Sequence, residues 1–184
     1  MSLKAKWLDW FDKTTEECYV QFEGDRIRAE GVIRSTNPEF RVQYRITLNN
    51  EWVFREVEIQ SRDAKDEGKQ IFISSDGNGK WTDYKNQRIE GLEAAVDIDF
   101  ILTPFTNSLP VKRLQLPRGE SADLTVAHIS FPDLTVSPDH QRYTCIEPGK
   151  LYRFDSLTSD FTQDIAFDEE GLVADYPQMF KRVK

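Results

Sequence analysis

The sequence is poor in the residues that usually give away chemistry. It has two cysteines, two histidines and two methionines in 184 residues. Two cysteines, Cys18 and Cys145, supply neither a disulfide framework nor the spacing of a zinc site. His128 and His140 lack the i, i+4 partner of a helical metal motif. No Gly-x-Ser-x-Gly elbow presents a serine nucleophile. Long apolar runs are absent too: the longest is three residues, against the roughly 20 that a membrane-spanning helix needs. The opening segment has no apolar stretch of the kind that makes a secretory signal, so the expected compartment is the cytoplasm. Basic charge is in deficit. Twenty-four Lys and Arg face 32 Asp and Glu, a net charge of −8, which argues against general nucleic-acid binding because phosphates must be neutralised.

What the chain does have is aromatic residues and a period of two. Its 12 Phe, 6 Tyr and 4 Trp favour strands and bury large areas. In Phe40-Arg41-Val42-Gln43-Tyr44-Arg45-Ile46-Thr47-Leu48 every even position is apolar and every odd one polar, the mark of a half-buried strand. Asn49-Asn50 then gives a turn, and Trp52 to Ile59 continues the alternation as the second arm of a hairpin. Ile27, Ala29, Gly31 and Ile33 form an earlier arm. Ile71-Phe72-Ile73 leads through the turn Asp76-Gly77-Asn78-Gly79 to Trp81, and further strands are expected at 95–102, 124–130, 141–146, 150–155, 161–167 and 172–175. About a dozen short strands in one chain exceed what a flat sheet carries without curling, so a rolled or barrel-like sheet is expected. The charged run Arg62 to Lys69 reads as a loop, and nothing divides residues 1–184 into two domains.

Helical signals are few. Thr103-Pro104-Phe105-Thr106-Asn107-Ser108-Leu109-Pro110-Val111-Lys112-Arg113-Leu114 offers N-capping hydroxyls and an early proline, with Pro117 as its stop. Leu3, Trp7, Leu8, Trp10 and Phe11 lie near helical spacing, and the opening segment is read as a short amphipathic helix in preference to an edge strand.

Candidate chemistry is sparse. Asp97 and Asp99 share one strand face, where paired carboxylates serve acid–base work or hold a cation, or else bond to backbone and arginine as structural groups. Arg113 and Arg142 suit a carboxylate or phosphate, and their structural alternative is to neutralise Asp97 or Asp99 inside the roll. Asp76 to Lys80 fails as a calcium loop, because Gln87 stands where the twelfth-position acid belongs.

Asp97-Ile98-Asp99 followed by the Thr103–Leu114 segment resembles the signature of the "putative glycolipid-binding" family, formerly a domain of unknown function. Gln141-Arg142-Tyr143, the ending Gly171-Leu172-Val173-Ala174-Asp175-Tyr176-Pro177-Gln178-Met179-Phe180, and the Tyr44–Trp52 hairpin with Trp81 are similar to it as well, so the resemblance spans nearly the whole chain. At Gly91 to Ala95 the chain departs from it, for a cysteine is expected there in relatives. The resemblance implies a spiral β-roll: a mainly β fold in which a long antiparallel sheet is rolled around a single central α-helix. It also implies a non-enzymatic binding protein for a glycolipid or other amphipathic molecule. No cofactor follows from it, and the chain is expected as a monomer or homodimer. Asn107, Arg113, Arg142 and Tyr143, which cluster in the family-like segments, are the expected headgroup contacts. The competing expectations are a small hydrolase or metal-dependent enzyme using Asp97 and Asp99, and a structural or protein-interaction module.

Overall fold

The computed structural model describes residues 2–36, 38–63 and 68–183. Among them are fourteen strands in one curled sheet. The first seven are β1 (Ser2–Asp9), β2 (Thr14–Glu23), β3 (Arg26–Thr36), β4 (Glu39–Asn49), β5 (Phe54–Asp63), β6 (Lys69–Ser75) and β7 (Trp81–Asp83). The rest are β8 (Ala95–Asp99), β9 (Ser121–Ile129), β10 (Val136–Glu147), β11 (Leu151–Ser156), β12 (Thr162–Phe167), β13 (Val173–Tyr176) and β14 (Phe180–Arg182).

Strands β1–β7 form one antiparallel meander and β9–β14 another. They are joined in the middle of the sheet, where β1 pairs with β14 through Trp7 opposite Arg182 and Asp9 opposite Phe180. The chain then crosses from one outer edge, β7, to the other, β8, and β8 pairs with β9 in parallel, the one departure from the expected antiparallel ladder among the described strands. The two edges face each other across the roll: Trp81 stacks on Phe54 at 5.0 Å between ring centres, and its indole N–H donates to the Ala95 carbonyl at 3.2 Å.

The expected amphipathic helix at the N-terminus is instead β1. Lys4 and Lys6 point outward between buried Ala5 and Trp7, so the stretch alternates at period two. Trp10 and Phe11, which suggested helical spacing, lie in the turn after β1. Trp7 is held by its N–H to the Val173 carbonyl (2.8 Å) and by the Arg182 guanidinium over its ring at 5.1 Å, contacts that only the neighbouring meander supplies. The charged loop expected from Arg62 to Lys69 is shorter at both ends, since Asp63 belongs to β5 and Lys69 to β6; residues 64–67 lie outside the described set.

The central segment is helical and enclosed. A 3-10 turn (Phe105–Asn107) runs into α1 (Ser108–Leu114), and residues 105–111 are buried. The Thr103 hydroxyl accepts the Phe105 N–H at 3.0 Å, which opens the turn. Pro110 sits in the first turn of α1, where an intrahelical N–H partner is not required. Gln115, in the left-handed region at φ 47°, ends the helix before Pro117 is reached. Phe105 and Leu109 pack into the core of the first meander, with Trp7, Tyr44, Phe54 and Trp81. Val111 joins the second core, with Tyr143, Tyr152, Ile165 and Tyr176. The helix thus fills the roll as an axle between two cores.

Candidate ligand-binding cleft

Strand direction gathers the site at one end of the roll. β8, β9, β11 and β13 finish there, while β10, β12 and β14 begin there. A cleft of about 440 Å³ opens between these ends and the segment leading into α1. That volume lies in the range of small-molecule sites.

One wall is aromatic. Phe161 lies 6.0 Å from Phe154 and 6.3 Å from Tyr176, and Tyr176 lies 6.3 Å from Phe180, ring centre to ring centre. Met179 completes this wall. The lining also carries polar groups, Asp99, Asn107, His128, Ser137, Asp139 and Gln141, interspersed with Phe100, Ile101 and Pro138. Gln141 donates to Asp99 Oδ2 at 2.9 Å and more weakly to Asp139 Oδ2 at 3.4 Å, tying the two carboxylates to one amide. Thr106 donates to Asp99 Oδ1 at 2.8 Å, and Thr158 to Asp139 Oδ1 at 2.7 Å. The cleft is lined by four titratable groups, Asp99, His128, Asp139 and Tyr176, and, among the described residues, by no lysine or arginine.

Burial opposes ionisation of Asp99, but His128 together with the Thr106 and Gln141 bonds overcomes it and holds this carboxyl below its ordinary range. His128 Nδ1 stands 3.9 Å from Asp99 Oδ2 and is shut off from solvent without a hydrogen-bond partner. Asp99 raises the affinity of the imidazole for its proton more than burial lowers it, so His128 titrates above 6.5.

The two aspartates expected as a pair have separate partners. Asp97 is buried and meets Arg113 across a 2.6 Å Nη2–Oδ2 contact, the structural alternative for that arginine. Burial still drives the Asp97 carboxyl upward against the pull of Arg113. Among the described residues no group of three or more His, Cys, Asp or Glu is placed to hold a metal ion.

The four expected headgroup residues are dispersed. Asn107 lines the cleft. Tyr143 lies behind it, its hydroxyl accepting the Asn107 amide at 2.9 Å. Arg113 is engaged with Asp97. Arg142 points to the outer face, where it forms a two-pronged pair with Asp123 at 2.6 and 2.9 Å. His128, Asp139 and the aromatic wall were not anticipated. Asp139 was obscured because the strand expected from 141 begins at Val136, so that β10 runs through it. Pro138 is accommodated there because the ladder of β10 with β11 begins only at Gln141, so that β9 is the one strand paired with it at Pro138.

Fold and cleft together define a β-roll with a helical axle and an amphipathic recess at the strand ends. The chain belongs to the family described as "Putative glycolipid-binding", which it matches over residues 4–182. It is also similar to a DUF1089 family protein of Pseudomonas aeruginosa known from its crystal structure, with 26% identity, a TM-score of 0.81, and coverage of 93% of this chain and 92% of that one. No curated protein matches the chain.

Proposed function

We propose that the chain binds an amphipathic molecule with an uncharged, hydroxyl-rich headgroup, of which a glycolipid is the type case. The observation that carries this reading is the meeting, within one cleft, of an aromatic cluster and hydrogen-bonding groups that include two carboxylates and no Lys or Arg among the described residues. Carboxylates accept hydrogen bonds from sugar hydroxyls and repel phosphate or sulfate. Phe154, Phe161, Tyr176 and Phe180 offer the apolar segment a surface worth about 25 cal/mol for each Å² removed from water. Asn107 meets the headgroup, with Tyr143 holding its amide in place. Arg113 and Arg142 act at a distance from the ligand, one securing Asp97 and the other bracing the outer sheet face. The family description supports the same ligand class.

Isothermal titration with octyl glucoside and, in parallel, octyl phosphate tests the reading. Saturable binding of the glucoside with little of the phosphate is expected. Equal binding of both, or of neither, would end it.

A further inference from the structure

Three chemically distinct side chains stand side by side at the polar end of the cleft. In the ladder between β8 and β9, Asp99 is directly opposite His128. In the ladder between β9 and β10, His128 is directly opposite Ser137. All three line the cleft, so their side chains share the concave face. In the antiparallel ladder of β9 and β10, directly opposed residues place their Cβ atoms about 4.5–5.5 Å apart, which sets Ser137 beside His128. The order is acid, imidazole, hydroxyl across three adjacent strands.

We propose that Asp99, His128 and Ser137 form a hydrolytic row that cleaves a carboxylic ester of an amphipathic molecule seated in the cleft. The inference rests on the cleft being a ligand site, as proposed above, and adds a reaction to it. Asp99 is a positioning residue: Thr106 and Gln141 fix its carboxylate, and its Oδ2 faces His128 Nδ1 at 3.9 Å. That separation is longer than a hydrogen bond, as is common before substrate closes a site. With Nδ1 turned to Asp99, Nε2 remains to take the Ser137 proton.

Ser137 Oγ attacks the ester carbonyl as its proton passes to His128 Nε2. The C–O bond to the alcohol then breaks, and His128 returns the proton to the leaving alkoxide. Water attacks the acyl-serine, again giving its proton to His128. The acid departs, and Ser137 regains a proton from the imidazole. One water is consumed and no redox partner is needed. Asp97, bound to Arg113, takes no part, so the row uses one of the two neighbouring aspartates and not the pair.

The test combines a fluorophosphonate probe with p-nitrophenyl butyrate turnover on the full chain. Intact and peptide mass spectrometry is expected to place the probe on Ser137, with labelling lost in Ser137→Ala and His128→Ala. Turnover should fall on the order of a hundredfold in each. Asp99→Asn should slow turnover and also shift the rising limb of the pH–rate profile to lower pH, an effect a purely structural role would not produce. Ser121→Ala, at the far end of β9, should label and turn over as the parent does. Absence of labelling, labelling unaffected by His128→Ala, or turnover of p-nitrophenyl glucoside in place of the ester would overturn the row. Octyl glucoside titration is run on the same samples. Binding without labelling discards the hydrolytic row alone, whereas labelling without glucoside binding upholds the row and counts against the headgroup assigned above.

Discussion

The ring of Tyr44 lies across Gly31. The two residues are directly opposed in the ladder between β3 and β4. A Cβ built on Gly31 would stand 2.1 Å from the Tyr44 ring. With no side chain in the way, the tyrosine passes over β3 and its hydroxyl donates to Glu16 on β2 at 2.5 Å. Gly31→Ala is therefore expected to displace Tyr44, strand the Glu16 carboxyl and destabilise the fold by roughly 2–3 kcal/mol. Urea denaturation measures it. A loss below 0.5 kcal/mol would show that the ring has another place to go.

Glu16 makes the stability of the roll depend on pH. It is fully buried, its Oε1 accepts from Tyr44 and Thr103, and its Oε2 has no partner. Burial raises the carboxyl from 4.5 to about 7, against the opposing pull of those two hydrogen bonds. Between these values the unfolded chain has lost the proton that the folded chain keeps. Stability thus falls as pH rises, by a total on the order of 3 kcal/mol, and levels off above the folded value. Glu16→Gln removes this loss. Denaturation midpoints of parent and variant should diverge between pH 4.5 and 8 in favour of the variant. Parallel curves would place the charge in a better-solvated site than the one seen.

His128 acts in the same direction. Its folded pKa is raised by Asp99, so its contribution is complete below the unfolded value of 6.5 and disappears as pH rises through the folded one. Histidine-selective NMR should show His128 titrating above 6.5 in the parent and lower in Asp99→Asn. An unchanged titration in that variant would dissociate the two residues.

The Asp97–Arg113 pair secures the axle. It ties α1 to β8 through a carboxylate with 1% of its side chain exposed and an arginine with 17% exposed. Arg113→Met leaves a buried carboxylate without its counter-ion, at a cost of about 3–5 kcal/mol, and adding Asp97→Asn should recover much of it. Thermal denaturation of the two single variants and the double variant measures the coupling. Additive losses would show that the contact carries little energy.

Much of this architecture is legible in the residues. Phe40 to Leu48 alternates so strictly that β4 can be drawn from it, and the scarcity of helical signals elsewhere singles out Thr103 to Leu114 as the axle. The first strand is harder to see, because Trp7 is held by Val173 and Arg182, residues distant in sequence and adjacent only after the two meanders meet. The site divides in the same way. Period two alone sets Arg142 and Tyr143 on opposite faces of β10. The roles of Asp97 and Asp99 differ because of what stands opposite each: a helix arginine for one, a β9 histidine for the other. Neither partner is implied by Asp-Ile-Asp. His128 has no local motif, and only the parallel register of β8 on β9 brings it to the cleft.

The most direct measurement of the central claim is amide chemical-shift mapping of the full chain during titration with octyl glucoside. The largest shifts are predicted at Asn107, Asp139, Gln141, Ser159, Phe161 and Met179, around the cleft between the aromatic wall and the paired carboxylates. Shifts centred instead on the separate recess of Phe40, Leu102 and Phe131, or no saturable shifts at all, would contradict it.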